Sequence, residues 1–130
     1  MTETQTAPRP RYLTTAEMAK VVRQVLKEAF PVAEYGVKFS VRSSNYAGGS
    51  SIRIAYDSDK LYSRDVNAKV KHLQSASFDG MIDLKTNHDV TLPSGEVVYG
   101  GADWISADNQ NWAWEDAERQ RRREAHLRAL

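Results

Sequence analysis

Apolar and polar residues alternate along residues 37–56, which read VKFSVRSSNYAGGSSIRIAY. The apolar positions are Val37, Phe39, Val41, Ile52, Ile54 and Tyr56. This period of two is typical of two strands that each bury one face. Between them, residues 43–50 are rich in Ser, Asn and Gly and predict a loop longer than a two-residue turn. The pattern therefore predicts an antiparallel hairpin whose apolar face must be covered by a helix.

An amphipathic helix is predicted just before this hairpin. Thr14 stands three residues before Glu17, the spacing of a capping box, and Leu13 and Met18 take the positions of a hydrophobic staple. Apolar side chains then recur at the spacing of one helical face. The helix is predicted to end at about Phe30, because the next residue is a proline.

The remaining pattern predicts shorter elements and a charged tail. A second helix is predicted over about 63–74, a third strand over 78–84, and a second hairpin over 88–105 with a Pro-Ser-Gly turn. The tail favours a surface helix, because acids precede arginines at four-residue spacing. These pairs are Glu115–Arg119, Glu118–Arg122 and Glu124–Arg128.

Together these elements predict an α+β fold, in which a small antiparallel sheet has helices packed on one face and a C-terminal basic helix follows. The predicted organisation is a disordered leader over residues 1–12, a single α+β domain over 13–108 and a charged helix over 109–130. A chain of 130 residues with 41% hydrophobic residues can support one domain with a modest core.

Composition narrows the classes of function. The chain has no Cys, which excludes disulfides, thiolate zinc sites and a cysteine nucleophile. It has no apolar run of membrane-spanning length, so we expect a cytoplasmic protein without a membrane partner.

The charges are unevenly distributed along the chain, although the net charge is only +1. Residues 1–74 carry 12 basic and 7 acidic side chains, residues 75–116 carry 1 basic and 8 acidic side chains, and residues 117–130 carry 5 basic and 2 acidic side chains. Such segregation could steer a charged partner.

Motifs for catalysis are missing from the sequence. It contains no GxxxxGK[ST], HExxH or GxSxG motif, and its histidines lie on separate predicted elements. Asp79, Asp83, His88 and Asp89 would form a metal or acid–base site only if the fold brought them together. We therefore expect no enzyme, no cofactor and no metal, and a hydrolase or nuclease built on this cluster is the third alternative.

Basic and aromatic residues point to nucleic-acid binding. Lys38, Arg42 and Arg53 share the predicted outer face of the hairpin, and Tyr46 lies in its predicted loop as a group on which a base could stack. The basic tail supplies further candidates for phosphate contacts. They are Arg119, Arg121, Arg122 and Arg123.

Three segments carry a resemblance to a known family. They are VVRQVLKEAFP at 21–31, VKFSVRSSNYAGGSSIRIAY at 37–56 and SFDGMIDL at 77–84. They resemble the large polyvalent protein-associated domain of class 29, found in large polyvalent proteins of phages and conjugative elements. The resemblance implies an α+β domain of helix, hairpin, helix and strand order, and an origin in a mobile element. It also implies a role beside incoming DNA and against host defences, and it implies no catalytic residues.

The residues and the resemblance together predict a non-enzymatic accessory or anti-defence protein that binds a host macromolecule in the bacterial cytoplasm. One predicted partner is a host protein, such as a defence component, for which Trp112 and Trp114 would be anchors if they lie outside the core. The alternative is a DNA- or RNA-binding protein that uses the basic hairpin face and the Arg-rich tail. The sequence also leaves a homo-oligomer open.

Overall fold

The structure is a computed structural model that describes residues 9–79 and 84–130. The helices there are α1 (Thr15–Ala29), α2 (Val32–Tyr35), α3 (Ser63–Val70) and α4 (Trp112–Ala129), and a 3-10 turn over Lys71–Leu73 follows α3. The strands there are β1 (Arg11–Leu13), β2 (Ser40–Tyr46), β3 (Gly49–Tyr56), β4 (Ala76–Asp79), β5 (Leu84–Asn87), β6 (Val90–Thr91), β7 (Val97–Gly100) and β8 (Trp104–Asn109). None of these helices combines the length and the apolar character needed to cross a membrane.

The described strands form two three-stranded sheets and a separate hairpin of β4 and β5. In the central sheet, of order β2-β3-β8, β2 is antiparallel and β8 parallel to β3. In the second sheet, of order β1-β7-β6, β1 is parallel and β6 antiparallel to β7. The α+β class is thus confirmed. The sheets are mixed rather than purely antiparallel, because β1 and β8 join them from distant parts of the chain.

The central hairpin is longer, and its turn tighter, than the prediction. Ser43 pairs with Ile52 and Tyr46 pairs with Gly49, so most of the predicted loop is strand. Only two residues form the turn, and one of them, Gly48, has a φ of 86°. A two-residue hairpin turn requires such left-handed backbone, which glycine adopts without strain. The predicted long loop was therefore wrong, since the backbone ladder continues through polar side chains.

The core lies between the inner face of the central sheet and helices α1 and α3. Its fully buried side chains include Val22, Leu26, Ile52, Ile54, Val66, Val70 and Ile105. Burial of each such side chain stabilises the fold by roughly 1.5–3 kcal/mol. The predicted inner positions of the hairpin are thus core positions, and one face of the central sheet is left for other roles.

The start and the end of α1 are confirmed. The Thr14 hydroxyl accepts a hydrogen bond from the Glu17 amide at 3.1 Å, and the Glu17 carboxylate accepts one from the Thr14 amide at 3.0 Å. Phe30 is the C-cap residue. Regular structure starts earlier than predicted, because Arg11 already belongs to β1. The first part of the predicted leader, residues 1–8, lies outside the described residues.

Later elements agree with the sequence in part. Helix α3 and its 3-10 turn cover the predicted helix over 63–74, and β6 and β7 form the second predicted hairpin. The range of the third predicted strand, 78–84, includes the end of β4 and the start of β5, and its residues 80–83, with the glycine of the Asp79-Gly80 turn signal, lie outside the described residues. Strand β8 was missed because its Ser, Ala, Asp and Asn residues have low strand propensity.

Asp103 ties the tip of the central hairpin to β5. Its carboxylate accepts hydrogen bonds from Lys85 Nζ at 3.0 Å, Asn87 Nδ2 at 2.9 Å and the Ser50 amide at 3.3 Å. Partial burial by itself would raise the pKa of Asp103, but these hydrogen bonds outweigh it and hold the pKa below its ordinary value. The stabilisation is therefore present above the unfolded-state pKa and is lost as the pH falls through the folded-state pKa.

Exchange Asp103→Asn is expected to lower the free energy of unfolding at pH 7 by about 1 kcal/mol. The value is modest because the side chain of Lys85 is 34% exposed and solvent screens the pair. Urea unfolding at pH 7 and at steps down to pH 3 measures the effect. The difference between the two proteins should shrink below about pH 4. A difference that stays constant over this range would contradict the assignment.

Candidate nucleic-acid interface

The face of the central sheet that points away from α1 carries a polar and basic surface, which we call the outer sheet face. Side chains reach it from alternate positions of each strand. Its central members are Arg42, Ser44, Tyr46, Ser51, Arg53 and Ser106. The part over β2 and β3 forms a shallow groove of about 420 Å³. The predicted outer face of the hairpin therefore exists as a continuous surface.

Two arginines face each other at the centre of this surface. Arg42 of β2 pairs directly with Arg53 of β3, and both side chains are exposed. Neither forms an ion pair with any residue that the structure describes. Like charges directly opposite each other destabilise a sheet by up to about 1 kcal/mol. An anion bound between the two guanidinium groups would remove that repulsion.

Tyr46 lies at the end of β2 rather than in a loop. Its side chain is on the same face as Arg42, four residues or about 13 Å along the strand. The ring extends over Gly49 of the next strand, where an added methyl group would come within 3.0 Å of Tyr46 Cε2. Since Tyr46 keeps 49% of its surface exposed, it offers an aromatic surface beside the arginine pair.

Lys38 does not belong to this surface, contrary to the prediction. It lies before the start of β2 and lines a groove beside α1 together with Arg23 and Lys27. The prediction extended the alternation of the strand to Lys38, but regular pairing starts only at Ser40. The structure thus brings together Arg42, Arg53 and Tyr46 in one groove and leaves Lys38 outside it.

Two of the four candidate arginines in the tail pair with acids of their own helix. Arg119 lies 3.1 Å from Glu115 and 2.9 Å from Asp116. Arg121 pairs with Glu118. Each of these two guanidinium groups therefore already has a carboxylate partner on its own helix, although solvent screens both pairs.

Arg122 and Arg123 differ from these two. The guanidinium of Arg122 lies over the ring of Tyr62, 4.5 Å from its centre, instead of pairing with Glu118 as the spacing predicted. Both arginines line a cleft between the start of α3 and α4. The ring of Tyr62 is also packed by Trp114, with ring centres 5.0 Å apart. Trp114 therefore helps to dock α4.

Glu115 was assigned from sequence to a surface pair, but it is only 3% exposed. Its carboxylate accepts hydrogen bonds from the backbone amide and the hydroxyl of Ser63 and from Asn109 Nδ2, besides the pair with Arg119. The Ser63 amide is at the start of α3, where helix amides lack partners within the helix. Glu115 thus attaches α4 to α3. No local signal could reveal this role, because Ser63 is 52 residues away.

The acidic cluster proposed for catalysis cannot be placed as a whole. Asp83 lies outside the described residues, and the side chain of Asp79 is not described. His88 and Asp89 are exposed between β5 and β6. In residues 9–79 and 84–130, no group of three or more His, Cys, Asp or Glu side chains is arranged to hold a metal ion.

Comparison with families of known proteins gives a match that covers most of the chain. The family model of the large polyvalent protein associated domain 29 matches residues 13–112. The matched range runs from the last residue of β1 to the first residue of α4, so it includes the whole outer sheet face. No curated protein and no solved structure matches the chain.

Proposed function

We propose that this chain, which belongs to the large polyvalent protein associated domain 29 family, is a non-enzymatic accessory protein that binds single-stranded nucleic acid on its outer sheet face. The family makes it a phage-associated domain. The observation that carries the proposal is the direct pairing of Arg42 with Arg53 on an exposed face. A phosphate bound by both guanidinium groups would offset the repulsion within this pair.

The chemistry of the groove fits a nucleic-acid strand. Guanidinium groups bind phosphate oxygens through two parallel hydrogen bonds, which gives both charge compensation and orientation. Tyr46 would stack with one base, and stacking on an aromatic ring is tolerant of sequence. Ser44 and Ser51 pair across the strands between these groups and supply hydroxyls for the sugar–phosphate backbone.

A single strand fits this surface better than a duplex. The bases of a duplex are reached by a helix or ribbon that enters a groove, whereas the outer sheet face is shallow and has only the small side chains of Ser44 and Ser51 between the arginine pair and Tyr46. An unpaired strand can lie on such a face with its bases turned toward the protein. In the cell, such binding would cover strands that accompany an incoming element, and so counter host defences that act on them.

Binding to a single-stranded oligonucleotide is expected to depend on salt. Two phosphates neutralised on a single strand give a slope of about −1.4 for log K against log salt, so the affinity should fall about sevenfold between 50 and 200 mM salt. Fluorescence anisotropy with labelled single- and double-stranded DNA and RNA measures both the slope and the preference. No binding at the lowest salt, or a preference for duplex, would overturn the proposal.

A host protein is the second candidate partner, because Trp112 is 68% exposed at the start of α4. Large exposed aromatic side chains dominate the binding energy of many protein interfaces. If the chain acts in this way, capture of one host protein from a lysate should be lost in the Trp112→Ser variant and kept in the Arg42→Glu variant. Capture that is lost in the Arg42→Glu variant and kept in the Trp112→Ser variant would indicate that the host protein binds on the outer sheet face.

A further inference from the structure

A second basic site lies apart from the outer sheet face, between the start of α3 and one side of α4. We call it the α3–α4 cleft. It has a volume of about 380 Å³, which is within the range of small-ligand sites. Its lining includes Tyr62, Arg64, Arg119, Arg122, Arg123 and His126, and Glu115 is also part of its wall.

Charge in the α3–α4 cleft is strongly unbalanced. Four arginines line it against one carboxylate, and that carboxylate, on Glu115, is already paired with Arg119. Arg64 lies 3.8 Å from Asp65, but both side chains are more than half exposed, so this pair is weak. Arg122 and Arg123 form no ion pair within the described part of the chain. The cleft therefore attracts an anion.

Tyr62 holds the guanidinium of Arg122 in place. The ring lies between contacts with Trp114, at 5.0 Å between ring centres, and with Arg122, at 4.5 Å, while Arg64 lies 5.6 Å from the same ring. A guanidinium that stacks on a ring keeps its N–H donors in its own plane, free for other partners. Less side-chain freedom is then lost when a ligand binds.

We propose that the α3–α4 cleft binds a phosphate group carried by a ligand of about mononucleotide size, with Arg122 as the main donor and Arg64 and Arg123 beside it. Planar guanidinium groups match the geometry of a terminal phosphate. The phosphate could belong to a free mononucleotide or to the 5′ end of a strand. The site is distinct from Arg42 and Arg53, so it does not depend on the function proposed for the outer sheet face.

Calorimetric titration with AMP, and with adenosine as the ligand without phosphate, tests the site. AMP is expected to bind and adenosine to bind at least tenfold more weakly. Arg122→Gln should weaken AMP binding at least tenfold, whereas Arg121→Gln, on the same helix but paired with Glu118, should change it less than twofold. Tyr62→Phe should preserve the affinity and Tyr62→Leu should reduce it severalfold.

A second titration distinguishes the source of the phosphate. Oligonucleotides with a 5′-phosphate and with a 5′-hydroxyl are compared in the native chain and in Arg122→Gln. A preference for the 5′-phosphate that disappears in Arg122→Gln identifies a strand end, and AMP binding without such a preference identifies a free nucleotide. If neither ligand shows dependence on Arg122, the proposal is overturned. Oligonucleotide binding that depends only on Arg42 and Arg53 would then still support the outer sheet face.

Discussion

Exchange of both Arg42 and Arg53 for Glu is expected to abolish binding of single-stranded nucleic acid. The change removes two charged hydrogen-bonding groups and replaces them with repulsion, a loss of at least about 3 kcal/mol, or more than a hundredfold in affinity. Both side chains are exposed, so the fold should remain intact. Fluorescence anisotropy at low salt measures the binding, and circular dichroism verifies the fold.

The matched control is the double exchange Lys20→Glu with Lys27→Glu. Both lysines are exposed on α1, which packs on the other face of the sheet, and the change in net charge is the same. Binding in this control should fall only by the general effect of charge, a few-fold at low salt. Equal losses in the two double variants would mean that net charge, and not the outer sheet face, governs binding.

The single exchange Arg42→Glu separates stability from binding. It places a carboxylate directly opposite Arg53, so an attractive pair replaces a repulsive one. The free energy of unfolding is expected to rise by about 0.5 kcal/mol while the affinity for the strand falls. A gain in stability together with a loss of affinity is typical when the exchanged residue serves function at some cost in stability. A stability that falls together with the affinity would contradict this interpretation.

The exchange Glu115→Ala is expected to lower the free energy of unfolding by about 2–3 kcal/mol. The value is large because the buried carboxylate accepts hydrogen bonds from both the amide and the hydroxyl of Ser63, and the exchange leaves that amide without its acceptor. Urea unfolding measures the loss. Because Glu115 attaches α4 to α3, the summed emission of the three tryptophans should also shift to longer wavelength as Trp114 becomes exposed.

The control for this exchange is Glu124→Ala on the exposed part of α4. It should change the free energy of unfolding by less than about 0.5 kcal/mol, as surface substitutions usually do. A similar loss in both variants would indicate that helix propensity in α4, rather than the contacts of Glu115, determines stability.

The sequence predicted those parts of the fold that depend on neighbours in the chain. The capping box at Thr14 and Glu17 and the end of α1 at Phe30 were confirmed, because both are local hydrogen-bonding and steric effects. The inner positions Ile52 and Ile54 were also confirmed, since the alternation of a strand directly separates its two faces.

The candidate site was predicted in part for the same reason. Arg42 and Arg53 were assigned to one face by alternation, and the register then placed them directly opposite each other. Lys38 was assigned to the same face because the alternation was extended beyond the start of β2 at Ser40. The predicted pair of Glu118 with Arg122 is not formed, because a spacing rule within one helix cannot account for Tyr62, whose ring takes the guanidinium instead.

What the sequence alone determined is therefore the set of amphipathic elements and the chemistry of their faces, because each follows from contacts between residues a few positions apart. Only the tertiary structure decided that β8 joins the central sheet in parallel, that Glu115 caps α3, and that a basic cleft opens beside Tyr62. These features join segments about 50 residues apart. They depend on hydrogen bonds and packing between distant segments of the chain, and no local sequence pattern predicts which segments will meet.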